Sequence, residues 1–350
     1  MRTESKNSKM IDFIAPLLAI DGYGHSAQNI VMALDKLGVN VRFVAHDWIV
    51  DTFSKPRILE LIQKQGDTDT AIVYHLPPTL KQYRDKYKKL IAFTMWETTK
   101  LPEMWVACLN AYSDTVLVPS EFCKKVFEES GVVKPIFVVP LGIDLDQYKY
   151  YDRPKRDDFR FLITGKMDDR KNWRAVVKAF IQEFDEQDVK LIVKTRANSG
   201  IKIDGDPRIK IISEDYTGDQ MADLYNDCDC FVYPSKGEGY GLPPREAMAT
   251  GLPVIMTSYG PLIERVDPFT YYPITISGME EVDYPTKNLI SLQNDDLGQW
   301  AVPDFEELKK MMRRVYNKRA EAKMIGKTAA LSIKRNADPK NGALVIKRIV

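Results

Sequence analysis

The sequence predicts an α/β protein made of two doubly wound parallel sheets in series. Three observations lead there. Continuous apolar runs of strand length recur along the chain, and amphipathic stretches of helical period lie between them. The alternation lapses once, between Leu141 and Asp158, and then resumes. Buried runs that alternate with helices imply sheets covered on both faces. A length of 350 residues suits two domains of about 150 residues each.

The first domain is expected over 1–145. Its strands are read at 11–16 (IDFIAP), 41–46, 71–75, 89–96, 115–119 and 136–140, with helical stretches at 25–38, 51–65 and 120–131. The polar, tyrosine-rich lapse broken by Pro154 reads as the boundary. A second domain is expected over 146–335, with strands at 159–165, 189–195, 209–213, 229–235 and 253–258. Its helices are read at 172–184, at 218–228 and from about Pro243. A last helix is expected within 336–350. Doubly wound sheets place ligands beyond the carboxyl ends of their strands, so the loops that follow strands are where chemistry is sought.

Composition excludes several classes. With 44% hydrophobic and 28% charged residues the chain is neither disordered nor fibrous. A net charge of +1 gives no global field toward nucleic acid, and no apolar run approaches the ~20 residues of a membrane span. The amino-terminal apolar stretch reads as a core strand rather than a signal peptide. Four cysteines without a C-x-x-C pair fit a reducing compartment, hence a cytoplasmic protein. Only three histidines exist, His25, His46 and His75, which argues against a multi-histidine metal centre; no metal is expected. From Glu307 to Val350 there are 13 Lys/Arg against 3 Asp/Glu, read as solvated helix faces. Lys81, Arg84, Lys86, Lys88 and Lys89 form a second basic cluster, read as a solvated helix face. Its sharper reading is peripheral contact with anionic lipid or with a nucleic-acid backbone.

The most informative segment runs from Ser235 to Val254 (SKGEGYGLPPREAMATGLPV), between a strand and a helix. Gly237, Gly239 and Gly241 let backbone N–H groups approach a ligand closely, and Pro243-Pro244 suit a first helical turn. A glycine loop that feeds a helix start is a site for an anion such as a diphosphate. Glu238 and Glu246 flank it, and carboxylates accept hydroxyl hydrogen bonds, so they could hold a sugar and a ribose. A plain strand–turn–helix with Glu246 against the helix dipole accounts for the glycines but gives Glu238 no reason. A second cluster, Lys166, Arg170 and Lys171, follows the first strand of the second sheet and suits a phosphate. It also reads as a solvated turn balanced by Asp168 and Asp169. A third segment, Gly22-Tyr-Gly-His-Ser-Ala27 with Asp47, fits the dinucleotide fingerprint.

Residues 238–254 closely resemble the Glu-x7-Glu signature of retaining glycosyltransferases of the GT-B fold, glycosyltransferase family 4 (group 1). The resemblance implies two doubly wound Rossmann-like domains facing across a cleft, with the last helix packed back on the first domain. It implies a nucleotide-sugar donor (a UDP-, GDP- or ADP-sugar), a hydroxyl acceptor (glycan, lipid or modified nucleic-acid base), and no cofactor. Carried over, Glu238 meets the donor sugar, Glu246 the ribose, and the amides of Gly239, Tyr240, Gly241 and Leu242 the sugar and phosphates. Thr164–Trp173 is similar to the family's Gly-Arg-Leu-x-x-x-Lys-Gly loop, placing Lys166 and Lys171 on the diphosphate. Lys stands at 166 where Arg is usual, and Asn at 172 where Gly is usual. Gly22 and Gly24 match the family's amino-terminal glycine loop, whose backbone meets the donor phosphate. Glu238, Lys171 and Lys166 are thus the expected catalytic set. Trp96-Glu97 stands where many relatives carry a His beside the reacting sugar, making Glu97 a candidate sugar or acceptor contact. Two alternatives use the same residues: a nicotinamide-dependent oxidoreductase built on Gly22, Gly24, Ala27 and Asp47, and a nucleotide-sugar-binding protein without turnover.

Overall fold

A computed structural model describes residues 9–17, 22–46, 55–153, 156–185, 188–203, 205–282 and 296–350. The chain divides into two compact units, one of residues up to 95, 101–142 and 339–350, the other of 96–100 and 143–338.

The first unit contains β1 (Ile11–Ala15), α1 (Gly22–Lys36), β2 (Val41–Ala45), α2 (Pro56–Ile62), β3 (Thr70–Tyr74), β4 (Lys89–Phe93), α3 (Glu103–Tyr112), β5 (Thr115–Val118), α4 (Glu121–Glu129) and β6 (Ile136–Val138). The sheet runs β2-β1-β3-β4-β5-β6 with every pairing parallel. β1 and β5 are buried throughout, which is why their sequences read as unbroken apolar runs. The one charge in β1, Asp12, is matched by Arg42 at 2.8 Å and by the Tyr87 hydroxyl at 2.7 Å, as a buried carboxylate requires.

The second unit contains β7 (Phe159–Thr164), α5 (Trp173–Glu183), β8 (Val189–Thr195), β9 (Ile209–Ser213), α6 (Gly218–Asn226), β10 (Cys230–Tyr233), α7 (Leu242–Ala249), β11 (Val254–Thr257), β12 (Tyr272–Ile274), β13 (Ile276–Glu281), β14 (Gln299–Pro303), α8 (Phe305–Asn317) and α9 (Arg319–Asn336). Its main sheet runs β12-β11-β10-β7-β8-β9, all parallel, and β13 and β14 form a separate antiparallel pair. From β7 the chain winds outward through β8 to β9, then returns to β10 on the other side and winds to β12. The order therefore reverses between β7 and β10, and the loops after those strands flank the crevice where such sheets bind ligands. α10 (Pro339–Ile349) belongs to the first unit, where the Lys89 ammonium donates to the Ile349 carbonyl and Lys347 to that of Leu37.

The fold class is the expected one, and five details differ. β4 stops at Phe93, because residues 96–100 pack with the second unit instead of continuing the strand. The basic cluster at 81–89 is not a helix face: it forms two 3-10 turns, Pro77–Gln82 and Arg84–Lys86, before β4. Arg84 is spent on Asp114 at 2.9 Å and on the carbonyls of Tyr87 and Lys88. The segment read as a linker is packed: Tyr148 is buried, and Arg153 donates to the carbonyls of Cys228, Thr250 and Gly251. The unit boundary falls at Gly142/Ile143, and the β13–β14 pair has no counterpart in the sequence reading.

Candidate functional site

The site is built at the carboxyl ends of β7 and β10. After β7 the chain turns through Gly165, at φ +136°, into a short 3-10 turn at Asp169–Lys171. Asp168 caps that turn by accepting from the Lys171 N–H at 3.2 Å. Asp169 pairs with Arg174. The two aspartates are therefore occupied by a backbone cap and by Arg174, and the cluster is more than a balanced solvated turn. Asn172 closes the turn at φ +52°, in the left-handed region that glycine adopts freely and asparagine tolerates better than other residues. That geometry explains why Asn can stand where the resembling motif has Gly.

Lys171 and Glu238 meet at 2.5 Å, both buried. Four donors converge on one oxygen of Glu238. Its Oε1 takes Lys171 Nζ, the Ser235 hydroxyl at 2.6 Å, the Tyr233 hydroxyl at 2.8 Å and the Arg170 guanidinium at 2.9 Å. The Lys171 ammonium also contacts the Tyr233 hydroxyl and lies 4.8 Å from its ring centroid. Oε2 accepts no hydrogen bond among the described residues, so it is the oxygen left for a ligand hydroxyl. Burial works to raise the Glu238 carboxyl, but Lys171 and Arg170 outweigh it and hold it at about 2. Burial lowers the Lys171 ammonium, with Glu238 opposing that shift.

Glu246 lies in α7, eight residues long, and has a different environment. It is buried, and it accepts from the Tyr225 hydroxyl at 3.0 Å and from Tyr148. Burial pushes its carboxyl up to about 7, and those two phenols only partly offset the shift. The connecting loop is fixed by Arg245. This fully buried guanidinium donates to the carbonyls of Tyr240, Gly241, Pro261 and Glu264 and lies over the Tyr240 ring. Gly241 stands at φ +82°, and a Cβ there would lie 2.6 Å from Leu262. Pro243 and Pro244 have no N–H, so amides facing an anion must come from the loop, Gly239 to Leu242, rather than from the helix beyond it.

The remaining predicted residues separate from this cluster. Lys166 is exposed on the same loop and forms no ion pair among the described residues. Gly22 and Gly24 lie in the first unit, inside the first turn of α1 rather than in a loop. Asp47, the acidic residue of the dinucleotide fingerprint, lies outside the described residues. His75 follows β3 and packs against His46, the rings tilted with centroids 4.4 Å apart. Glu97 belongs to the second unit, 3.8 Å from the Arg170 guanidinium. Asp227 and Asp229 precede β10 and pair with Arg160 and Arg156. Sequence reasoning overlooked Tyr148, Tyr225, Tyr233 and Arg245. Arg245 lay inside the quoted motif, whereas no local signal marked the tyrosines as hydroxyl donors to carboxylates.

Residues 158–270, which carry Lys166, Arg170, Lys171, Glu238 and Glu246, match the family model of Glycosyl transferases group 1. The second unit holds a group 1 glycosyl transferase domain. The chain is similar to the lipopolysaccharide core mannosyltransferase LpsB of Rhizobium meliloti, 52% identical over 46 residues, which span 13% of each chain. The serotype-specific mannosyltransferase WbdA of Escherichia coli is 57% identical over 35 residues, 10% of this chain and 4% of that one. The chain thus spans only a small part of each of these curated relatives. At the level of fold the likeness extends further. Anabaena HepE, solved with UDP and glucose, superposes at a TM-score of 0.69 over 97% of this chain and 99% of its own, at 13% identity. The sucrose-phosphate synthase of Thermosynechococcus elongatus does so at 0.66 over 97% and 98%, at 16% identity. The architecture around the group 1 domain is GT-B.

Proposed function

We propose that the protein is a retaining glycosyltransferase that moves a sugar from a nucleoside-diphosphate sugar to a hydroxyl acceptor. The observation that carries this is the Lys171–Glu238 pair at the reversal point of the second sheet, with Glu246 buried on the adjoining helix. A glycosyl transfer of this kind must stabilise negative charge as the diphosphate leaves, and preorganised cations and amides do so without reorganisation. Lys171 and the exposed Lys166 supply positive charge on the β7 loop, and the loop from Gly239 to Leu242 supplies backbone amides. Glu238 Oε2 accepts a hydroxyl of the transferred sugar, and Glu246 accepts the ribose hydroxyls. The sugar gains oxocarbenium character, the acceptor attacks from the leaving-group face, and the departing phosphate oxygen takes the acceptor proton. That route needs no histidine base, in keeping with a chain of three histidines.

The named relatives guide the choice of probes: two are mannosyltransferases, and HepE was solved with UDP and UDP-glucose. The test incubates the protein with UDP-, GDP-, ADP- and dTDP-sugars, with NAD(H) as control, and records thermal shift and release of nucleoside diphosphate. One nucleotide sugar should stabilise the protein, and Glu246→Ala and Lys171→Ala should each abolish the shift. Stabilisation without turnover with any hydroxyl acceptor would leave a binding protein. Stabilisation by NAD(H) alone would replace the transferase reading with an oxidoreductase.

A further inference from the structure

α9 packs one face into the second unit and leaves another in solvent. Ala322, Gly326, Ala329 and Ala330 are buried, so small residues let the helix lie close to its neighbours. Of its four large apolar side chains, Ile325 and Ile333 turn inward to the core, whereas Met324 and Leu331 are 65% and 60% exposed. Seven residues separate Met324 from Leu331, which puts them about 20° apart around the axis and about 10 Å apart along it. Ala320 and Thr328 lie on the same exposed stripe, and Thr328 spends its hydroxyl on the Met324 carbonyl at 3.0 Å.

A row of lysines borders this stripe on one side. Lys323, Lys327 and Lys334 are all exposed, and at 3.6 residues per turn they fall about 60–100° from Met324 in the same sense. Exposed Arg335 closes the stripe at its carboxyl end. The nearby acids are engaged: Glu321 pairs with Arg314 at 2.7 Å, and Asp152 with Lys323 at 3.4 Å. Lys327 and Lys334 form no ion pair among the described residues. The face is therefore apolar along its middle and cationic along one edge.

We propose that this face of α9 docks the protein on a lipid bilayer that carries anionic headgroups. A helix lying in the plane of the interface sinks its apolar stripe into the boundary between headgroups and acyl chains, while its lysines reach the lipid phosphates. Each cation near such a surface raises binding about fivefold, and Met324 and Leu331 add apolar burial that a purely ionic partner does not use. A nucleic-acid backbone would engage the lysines but leave both apolar side chains in water. A second copy paired antiparallel across a two-fold axis would set one lysine row against the other. Docking makes no use of Lys171, Glu238 or Glu246, so it is separable from sugar transfer.

The test sediments the full chain with vesicles of phosphatidylcholine alone and of phosphatidylcholine with about 30% phosphatidylglycerol, at about 0.1 M and about 0.5 M salt. The wild type should bind the anionic vesicles, about tenfold more weakly at the higher salt, and should not bind the neutral ones. Lys327→Gln with Lys334→Gln should lower that binding about 25-fold, and Met324→Gln with Leu331→Gln about tenfold. Lys86→Gln with Lys88→Gln removes the same charge from the first unit and should change it by less than about twofold. Thermal unfolding checks the fold of each variant, and should one α9 pair fail to fold, the other decides. A wild type that ignores anionic vesicles overturns the inference, as does unchanged binding in either α9 pair or an equal loss in the first-unit pair. Binding to duplex DNA that falls with the lysine pair and survives the Met324 and Leu331 pair overturns it too, and assigns the face to a nucleic-acid backbone.

Discussion

Glu238 and Glu246 share one loop–helix unit, yet their surroundings drive them apart. Two cations hold Glu238 at about 2, so its contribution to stability is present above the ordinary value of 4.5 and is lost as pH falls toward 2. Burial with only phenol donors raises Glu246 to about 7, so its contribution is present below 4.5 and is lost as pH rises through 7. In a series of melting temperatures against pH, Glu246→Gln should flatten the decline between about pH 5 and pH 8. Glu238→Gln should instead remove part of the acid-side loss. It should also destabilise at neutral pH by about 3 kcal/mol, because buried Lys171 and Arg170 lose their shared partner. Asn172 offers a check of a different kind. Its φ of +52° makes Asn172→Gly tolerable within about 1 kcal/mol, whereas Asn172→Val should cost about 1–2 kcal/mol in a denaturant titration. Of these features, both glutamates and Lys171 were legible in the sequence from residue type and spacing. The opposite charge behaviour of the glutamates was not, since both are buried and only Glu238 has Lys171 and Arg170 brought against it from the β7 loop.

Elements show where close backbone approach governs packing. α9 lies against the turn after α7 at Gly326, where a Cβ would sit 2.2 Å from the Gly251 carbonyl oxygen and 3.1 Å from Pro253 N. Backbone on the facing side cannot step aside as a flexible side chain can. Gly326→Ala should therefore destabilise by about 1–3 kcal/mol, read as a lower urea midpoint with an unchanged slope. Most strands and several helices could be read from period alone, because each is buried on both faces or along one stripe. The β13–β14 pair could not. β13 is mostly exposed, and it lacks the run or alternation that marks a strand. The basic cluster from Lys81 to Lys89, which overlaps two 3-10 turns, was likewise read as a helix face, since its lysines and arginine suit either conformation.

At the scale of the molecule, the first unit is assembled from three stretches of chain, the last of which is α10. α10 buries Ala343 and Ile346, and Gly342 allows it to approach Pro140, where a Cβ would lie 2.2 Å from the carbonyl oxygen. Deleting residues 339–350 should uncover α1 and lower the unfolding temperature of the first unit, while a nucleotide donor still protects the second. Differential scanning calorimetry with and without donor separates the two transitions. Among the described residues no helix is long and apolar enough to cross a membrane. By itself the sequence determined the class of fold and the residues with chemical work to do, because apolar period and the pattern of glycines, prolines and glutamates are local properties of the chain. The tertiary structure alone decided which of them meet. Lys171 meets Glu238 because β7 and β10 are neighbours where the strand order reverses, and Glu97 leaves its own strand to join them because five residues pack on the other unit. Such pairings are set by burial and hydrogen bonds between distant segments, and no local pattern encodes them.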